Sequence, residues 1–168
     1  MIQSLNGHDP VIGPDSWVAE NATVIGEVEI GSDCSIWFNA VLRGDVGKIT
    51  IGNGANIQDG AIVHTTTGKS TVKLGNYVTV GHRAIVHGCS SDDNVLIGMG
   101  SVVLDNVHIE TGAIIAAGAV VTENTRIPAH TIWAGVPAKQ VKTLDPNTSL
   151  EGMKEMAKGY IKYKGWYS

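Results

Sequence analysis

The sequence predicts an all-β solenoid, a parallel β-helix of about six triangular coils, followed by a C-terminal α-helix. Three observations carry that prediction. Aliphatic residues recur at strict six-residue spacing, first at Ile12, Val18, Val24, Ile30, Ile36 and Leu42. Four positions after each of them the side chain is usually small, as at Ala22, Cys34, Ala40, Ala61, Ala84, Ala113 and Ala119. Finally, Gly13, Gly31, Gly52, Gly75 and Gly98, then Ala116, mark one corner of successive coils. A period of six fits neither the helical 3.6 nor a long alternating strand, and it suits a solenoid whose side and corner use six residues together.

The aliphatic phase resumes at Ile51, Ile57 and Val63, again at Leu74, Val80 and Val86, and finally from Ile97 through Ile127. Extra residues are read between Leu42 and Ile51, between Val63 and Leu74, and between Val86 and Ile97. Insertions in a solenoid become loops at its corners and often mark the binding face. Glycine in the recurring corner slot is expected to serve a tight turn or a positive φ. The solenoid is assigned to residues 1–140. Leu150, Met153, Met156, Ala157, Tyr160 and Ile161 have helical spacing, so a helix is expected over 148–164, with Thr148 and Glu151 as a capping box. Its apolar stripe is expected to lie along the solenoid.

Composition agrees. Among 168 residues there are 21 Gly, 5 Pro and a single Phe, a mix that favours short strands and many turns. The net charge of −4 and the lack of a basic run give nucleic acid or an anionic membrane little to bind. No apolar stretch reaches membrane length and no signal peptide opens the chain, so a soluble cytoplasmic protein is expected. Cys34 and Cys89 are too few for a disulfide framework and lack metal-type CxxC spacing. Cys34 reads as core, and Cys89 as a quiet thiol.

Six histidines occur, and register sorts them. His64 follows Val63 and His87 follows Val86, with Arg43 following Leu42 in the same slot one coil earlier. These three are expected to stack in one column. His82, two after Val80, shares another column with Asp59, two after Ile57. Zinc holds imidazole nitrogens at about 2.0–2.1 Å, so two donors must lie within roughly 4 Å of one another. His64 and His87 on adjacent coils meet that condition. His82 and His87 are about 16 Å apart if the chain between them is extended, so one subunit does not unite all three. Threefold packing of prisms is expected to, with His64 and His87 from one chain and His82 from the next. Three imidazoles leave an open position on the ion, the arrangement of a catalytic site that lowers the pKa of bound water to about 7. His8, His108 and His130 read as ordinary surface histidines.

Four segments carry a family resemblance: Leu42-Arg43-Gly44-Asp45, Asn56-Ile57-Gln58-Asp59-Gly60, His64, and Gly81-His82-Arg83-Ala84-Ile85-Val86-His87-Gly88. Together they resemble the gamma-class carbonic anhydrases and their bacterial relatives. The resemblance implies a left-handed β-helix, a homotrimer, and metal sites shared between subunits that hydrate CO2 to bicarbonate by a metal-bound hydroxide. It implies His64, His82 and His87 as ligands of Zn2+, with Fe2+ or Co2+ also suited to three imidazoles. It further implies that Gln58 hydrogen-bonds metal-bound water or bicarbonate, that Arg43, Asp45 and Asp59 form an ion-pair network at the interface, and that Tyr160 lies near the site. Arg43 with Asp45 also suits a plain trimer-stabilising pair, and Gln58 and Asp59 also suit turn hydrogen bonds. One departure stands out. The family's acidic proton-shuttle loop is here Thr65-Thr66-Thr67-Gly68-Lys69-Ser70-Thr71, with no carboxylate, which predicts reduced turnover. Two rival functions are a hexapeptide acyl-CoA transferase with one histidine as general base and a catalytically weak, metal-binding structural trimer.

Overall fold

The computed structural model describes residues 1–167. Short parallel strands stack into flat faces joined by tight corners. One face consists of Trp17–Val18, Ser35–Ile36, Asn56–Ile57, Thr79–Val80, Leu96–Ile97, Ile114–Ile115 and Thr131–Gly135, seven rungs in order. Within each two-residue strand the second side chain points inward. Ile36, Ile57, Val80, Ile97 and Ile115 are accordingly buried, while the small residues Ala22, Ala40, Ala61, Ala84 and Ala113 fill the corners of the triangular interior.

Most corners contain a residue in the left-handed conformation, for example Asp33 and Asn39 with φ of 58° and Asn106 with φ of 59°. Asn and Asp tolerate this region better than other side chains, which accounts for their recurrence there. The glycines of the Gly13–Gly31–Gly52 column serve a different purpose from the one expected. Their φ values are not positive; a Cβ on Gly13 would instead come within 2.5 Å of the Gly31 carbonyl carbon, and one on Gly52 equally close to Gly75. Close backbone stacking, not turn geometry, keeps these positions to glycine. The corner does not continue to Gly98 and Ala116 as expected: above Gly75 it passes to Asp92 and Glu110, while Gly98 and Ala116 stack over Gly81 at a different corner.

The coil count also changes, from about six to seven. Leu74 is followed in its column not by Ile97 but by Ser91, whose neighbour Ser90 pairs with Lys73 on one side while Ser91 pairs with Ile109 on the other. Ile97 stacks on Val80. The interval from Val86 to Ile97 therefore holds one five-residue step and one six-residue step, so this coil is one residue short and carries no insertion. A buried serine in an aliphatic slot concealed the coil. The other two insertions are present: Ile51 pairs with Leu74 across the loop 65–71, and Ile30 pairs with Ile51 across the longer strand Val41–Ile51.

After the last parallel rung, Ala138–Thr143 turns back antiparallel on Thr131–Gly135. The helix runs from Pro146 to Lys164, two residues earlier than expected. Asp145 is its N-cap, accepting from the Thr148 backbone N–H at 2.9 Å, so Thr148 sits inside the first turn and caps nothing. Asp at N-cap with Pro at N1 outcompetes the Thr148–Glu151 box. The helix lies along the solenoid, where Tyr160 meets Trp37 edge-on at 5.5 Å and Tyr167 joins a cluster with Trp17, Trp37 and Phe38. Lys164, nearly buried, reaches the Asp15 carbonyl and the Asp33 carboxylate, fixing the end of the helix. Among the described residues, no helix is long and apolar enough to cross a membrane.

Candidate metal centre

Strand Ile85–His87 pairs in parallel with Ile62–His64, with His87 opposite His64. Both rings leave the solenoid on the same side of adjacent coils, and His64 Nδ1 lies 3.2 Å from His87 Nε2. The remaining nitrogen of each ring faces a carboxylate: His64 Nε2 is 3.0 Å from Asp45 Oδ1, and His87 Nδ1 is 3.4 Å from Asp105 Oδ1. When those outer nitrogens donate to the carboxylates, two lone pairs face one another and repel unless a proton or a cation lies between them. The donor set therefore fits a divalent transition metal.

Arg43 sits one coil below and pairs with Asp45 within the same chain. Burial opposes ionisation of Asp45, but hydrogen bonds from Arg43 and His64 outweigh it and hold the carboxyl below the usual carboxylate range. Asp105 behaves alike. Its burial is offset by the Ser70 and Thr66 hydroxyls and by His87 and Lys69.

A second group gathers elsewhere on the same chain. His82 Nδ1 is 2.8 Å from Asp59 Oδ2, on coils joined by the Arg83 N–H donating to the Asp59 carbonyl. His82, Gln58 and Tyr160 line one groove of about 500 Å³ between solenoid and helix, walled by apolar residues including Met99 and Met156. Gln58 is buried; its amide nitrogen donates to Asn56 Oδ1 at 3.0 Å, and Asn56 in turn donates to Thr79 Oγ1 at 2.9 Å. Burial, then Asp59 and Tyr163, push the Tyr160 hydroxyl pKa up, so it remains a neutral donor at pH 7.

One chain thus brings Arg43, Asp45, His64 and His87 together in one place and Gln58, Asp59, His82 and Tyr160 in another. Among the described residues, no three His, Cys, Asp or Glu side chains of a single chain converge as a metal cage. His82 is also the most open of the three histidines, its side chain 43% exposed against 17% for His64. Asp105 was invisible to sequence reading. Counting Ile97 as the start of a coil moved Val103 out of the column of Val63 and Val86, whereas Val103 in fact pairs with Val86. With Ser91 counted as a rung, Asp105 falls directly over Gly88, beside His87.

A family model described as bacterial transferase hexapeptide (six repeats) matches residues 9–44 and 92–123. A crystal structure of a hexapeptide transferase family protein from Anaplasma phagocytophilum superposes with a TM-score of 0.94 at 36% identity, covering 99% of this chain and 98% of that one. The mitochondrial gamma carbonic anhydrase 2 of Arabidopsis thaliana is 43% identical over 90% of this chain, which spans 56% of the plant protein's length. A probable carbonic anhydrase of Methanocaldococcus jannaschii is 44% identical over 86% of this chain and 90% of its own. With that coverage and the histidine register just described, the chain belongs to the gamma carbonic anhydrase family.

Proposed function

We propose that this protein catalyses the reversible hydration of CO2 to bicarbonate at a divalent metal site shared between subunits of a homotrimer. The observation that carries the reading is the approach of His64 Nδ1 to His87 Nε2, each ring backed by a carboxylate. His64 and His87 of one subunit and His82 of the next would hold the ion. Zn2+ is the first expectation, and Fe2+ or Co2+ also suits three imidazoles. When bound, such an ion supplies the Lewis acidity that yields hydroxide from water at neutral pH.

The chain's own groups do the rest. Asp45 and Asp59 fix the rings of His64 and His82 and set which nitrogen is free, because a ligating imidazole is oriented by the partner of its other nitrogen. Arg43 balances the charge of Asp45. The Gln58 amide, held by Asn56 and Thr79, presents a fixed hydrogen-bonding group to bicarbonate in the groove it shares with His82. Tyr160 adds a hydroxyl donor from the helix. The apolar wall of that groove suits a nonpolar gas on its way in. With no carboxylate in loop 65–71, proton export to buffer is expected to limit turnover.

Stopped-flow CO2 hydration, run on zinc- and iron-loaded protein of measured metal content beside His82→Ala, tests the reading. Hydration that requires metal and is lost in the variant supports it. A metal-replete trimer with no rate above buffer, or a metal-free protein that binds coenzyme A, would sink it in favour of a structural or acyl-transfer role.

A further inference from the structure

Asp105 is 5% exposed and uses both carboxylate oxygens. Oδ1 accepts from the Ser70 hydroxyl and faces His87 Nδ1 at 3.4 Å. Oδ2 accepts from the Thr66 hydroxyl at 3.2 Å, with Lys69 Nζ 3.7 Å away. Thr66, Lys69 and Ser70 all belong to the insertion 65–71. Lys69 also pairs at 2.9 Å with Glu123, which occupies the slot of Asp105 one coil higher. Beneath Asp105 lies Gly88, with φ of 61°, where a Cβ would overlap both Asp105 Oδ1 and Ser70 Oγ. The fold has therefore cleared a place for this carboxylate and roofed it with the loop.

We infer that Asp105 is a positioning residue for the metal centre: it fixes the His87 ring so that Nε2 is presented beside His64 Nδ1, and loop 65–71 is the clamp that holds Asp105. This inference rests on the proposed metal-binding role of His87 and extends it. It gives the loop a use in place of the missing acidic relay. His64 and His82 each have a carboxylate on their outer nitrogen at 3.0 and 2.8 Å, and Asp105 completes the set for the third ring.

The test is zinc affinity, measured on folded trimers by competition with a chromophoric chelator, together with the visible spectrum of the cobalt-loaded protein. Asp105→Asn keeps the shape and one acceptor, so one loop hydroxyl still donates to it while the other can turn to accept from the new amide, but it removes the anion facing His87. Its zinc affinity is expected to fall about 10–100-fold, the usual effect of removing an outer carboxylate, with an altered cobalt spectrum. Hydrogen exchange in loop 65–71 is expected to stay near wild type, and affinity lost while the loop is unchanged is a combination that a purely loop-stapling role would not allow. Asp92→Asn, which removes the carboxylate near His108, is the control and should change neither reading. Unchanged affinity and spectrum in Asp105→Asn would overturn the inference while leaving the metal site standing. Wild-type protein that binds no zinc, iron or cobalt would remove both. If Asp105→Asn does not fold, Thr66→Ala decides: affinity reduced several-fold supports the clamp, and wild-type affinity overturns it.

Discussion

His64 Nδ1 and His87 Nε2 face each other at 3.2 Å across adjacent coils, while His82 stands in a different column with Asp59. On the proposed reading, the two histidines in one place and the third in another are a half-site and its complement on the same chain. The proposed threefold assembly would join each half-site to a neighbour's complement, an interface in which the partner supplies an essential residue.

Mixed trimers should expose this division. His64→Ala and His82→Ala, each alone, are expected to lose tight metal binding. When the two variants are unfolded together and refolded, an intact site re-forms wherever a His82→Ala chain offers His64 and His87 to a His64→Ala neighbour. Random mixing makes that about a quarter of interfaces. Metal analysis of the refolded trimers should recover about that fraction, whereas ligands drawn from one chain would recover none.

Gly88→Ala should be destabilising beyond the loss of a flexible residue. A non-glycine residue at positive φ costs about 1–2 kcal/mol, and the added methyl would also displace Asp105 and Ser70. Urea unfolding should show a loss at or above that range, accompanied by weaker zinc binding. Gly118→Ala, at φ of 68° with open space around it, should show the backbone cost alone.

Cys89 is expected to be inert in the folded protein. Burial pushes its thiol up to about 12, and Cys34 is raised in the same direction. Ellman's reagent at pH 8 should find no reactive thiol until denaturant is added, when both should react. Because the folded value lies above the ordinary thiol value of 9.0, this group's contribution to stability is complete below that pH. It is lost as pH rises toward 12.

Lys164→Met should loosen the helix end. The ammonium donates to the Asp15 carbonyl and lies 3.2 Å from Asp33 Oδ1, so its removal leaves those acceptors unmatched. A destabilisation of about 1–3 kcal/mol is expected, as for other hydrogen bonds to charged groups. Hydrogen exchange over 160–167 should quicken, and the groove lined by Tyr160 should lose part of its cover.

In the core, Ile97→Ala is expected to cost about 2–5 kcal/mol and Ile97→Val about 0.5–1.5 kcal/mol. Ile97 is fully buried between Val80 and Ile115 in one stacked column, leaving little room for collapse around a void.

The six-residue period by itself determined the solenoid, the inward set of Ile36, Leu42, Ile57, Val63 and Val86, and the stacking of His64 on His87. Each of these follows from counting residues along a repeating path. Counting failed where a coil was one residue short and Ser91 stood in for an aliphatic residue, because burial in that slot selects size and shape as well as polarity. The same short coil brings Asp105 over Gly88, a placement that a constant six-residue period does not give. Cap choice likewise was settled by competition, with Asp145 and Pro146 outbidding Thr148. The register also separates His82 and Asp59 from His64 and His87. Only the tertiary structure decided that Asp45 stands behind His64 and Asp105 behind His87, and which nitrogen of each ring is left free. Those facts depend on how side chains from distant coils and an insertion meet in space, where distances of a few ångströms govern hydrogen bonding and spacing along the chain carries no record of them.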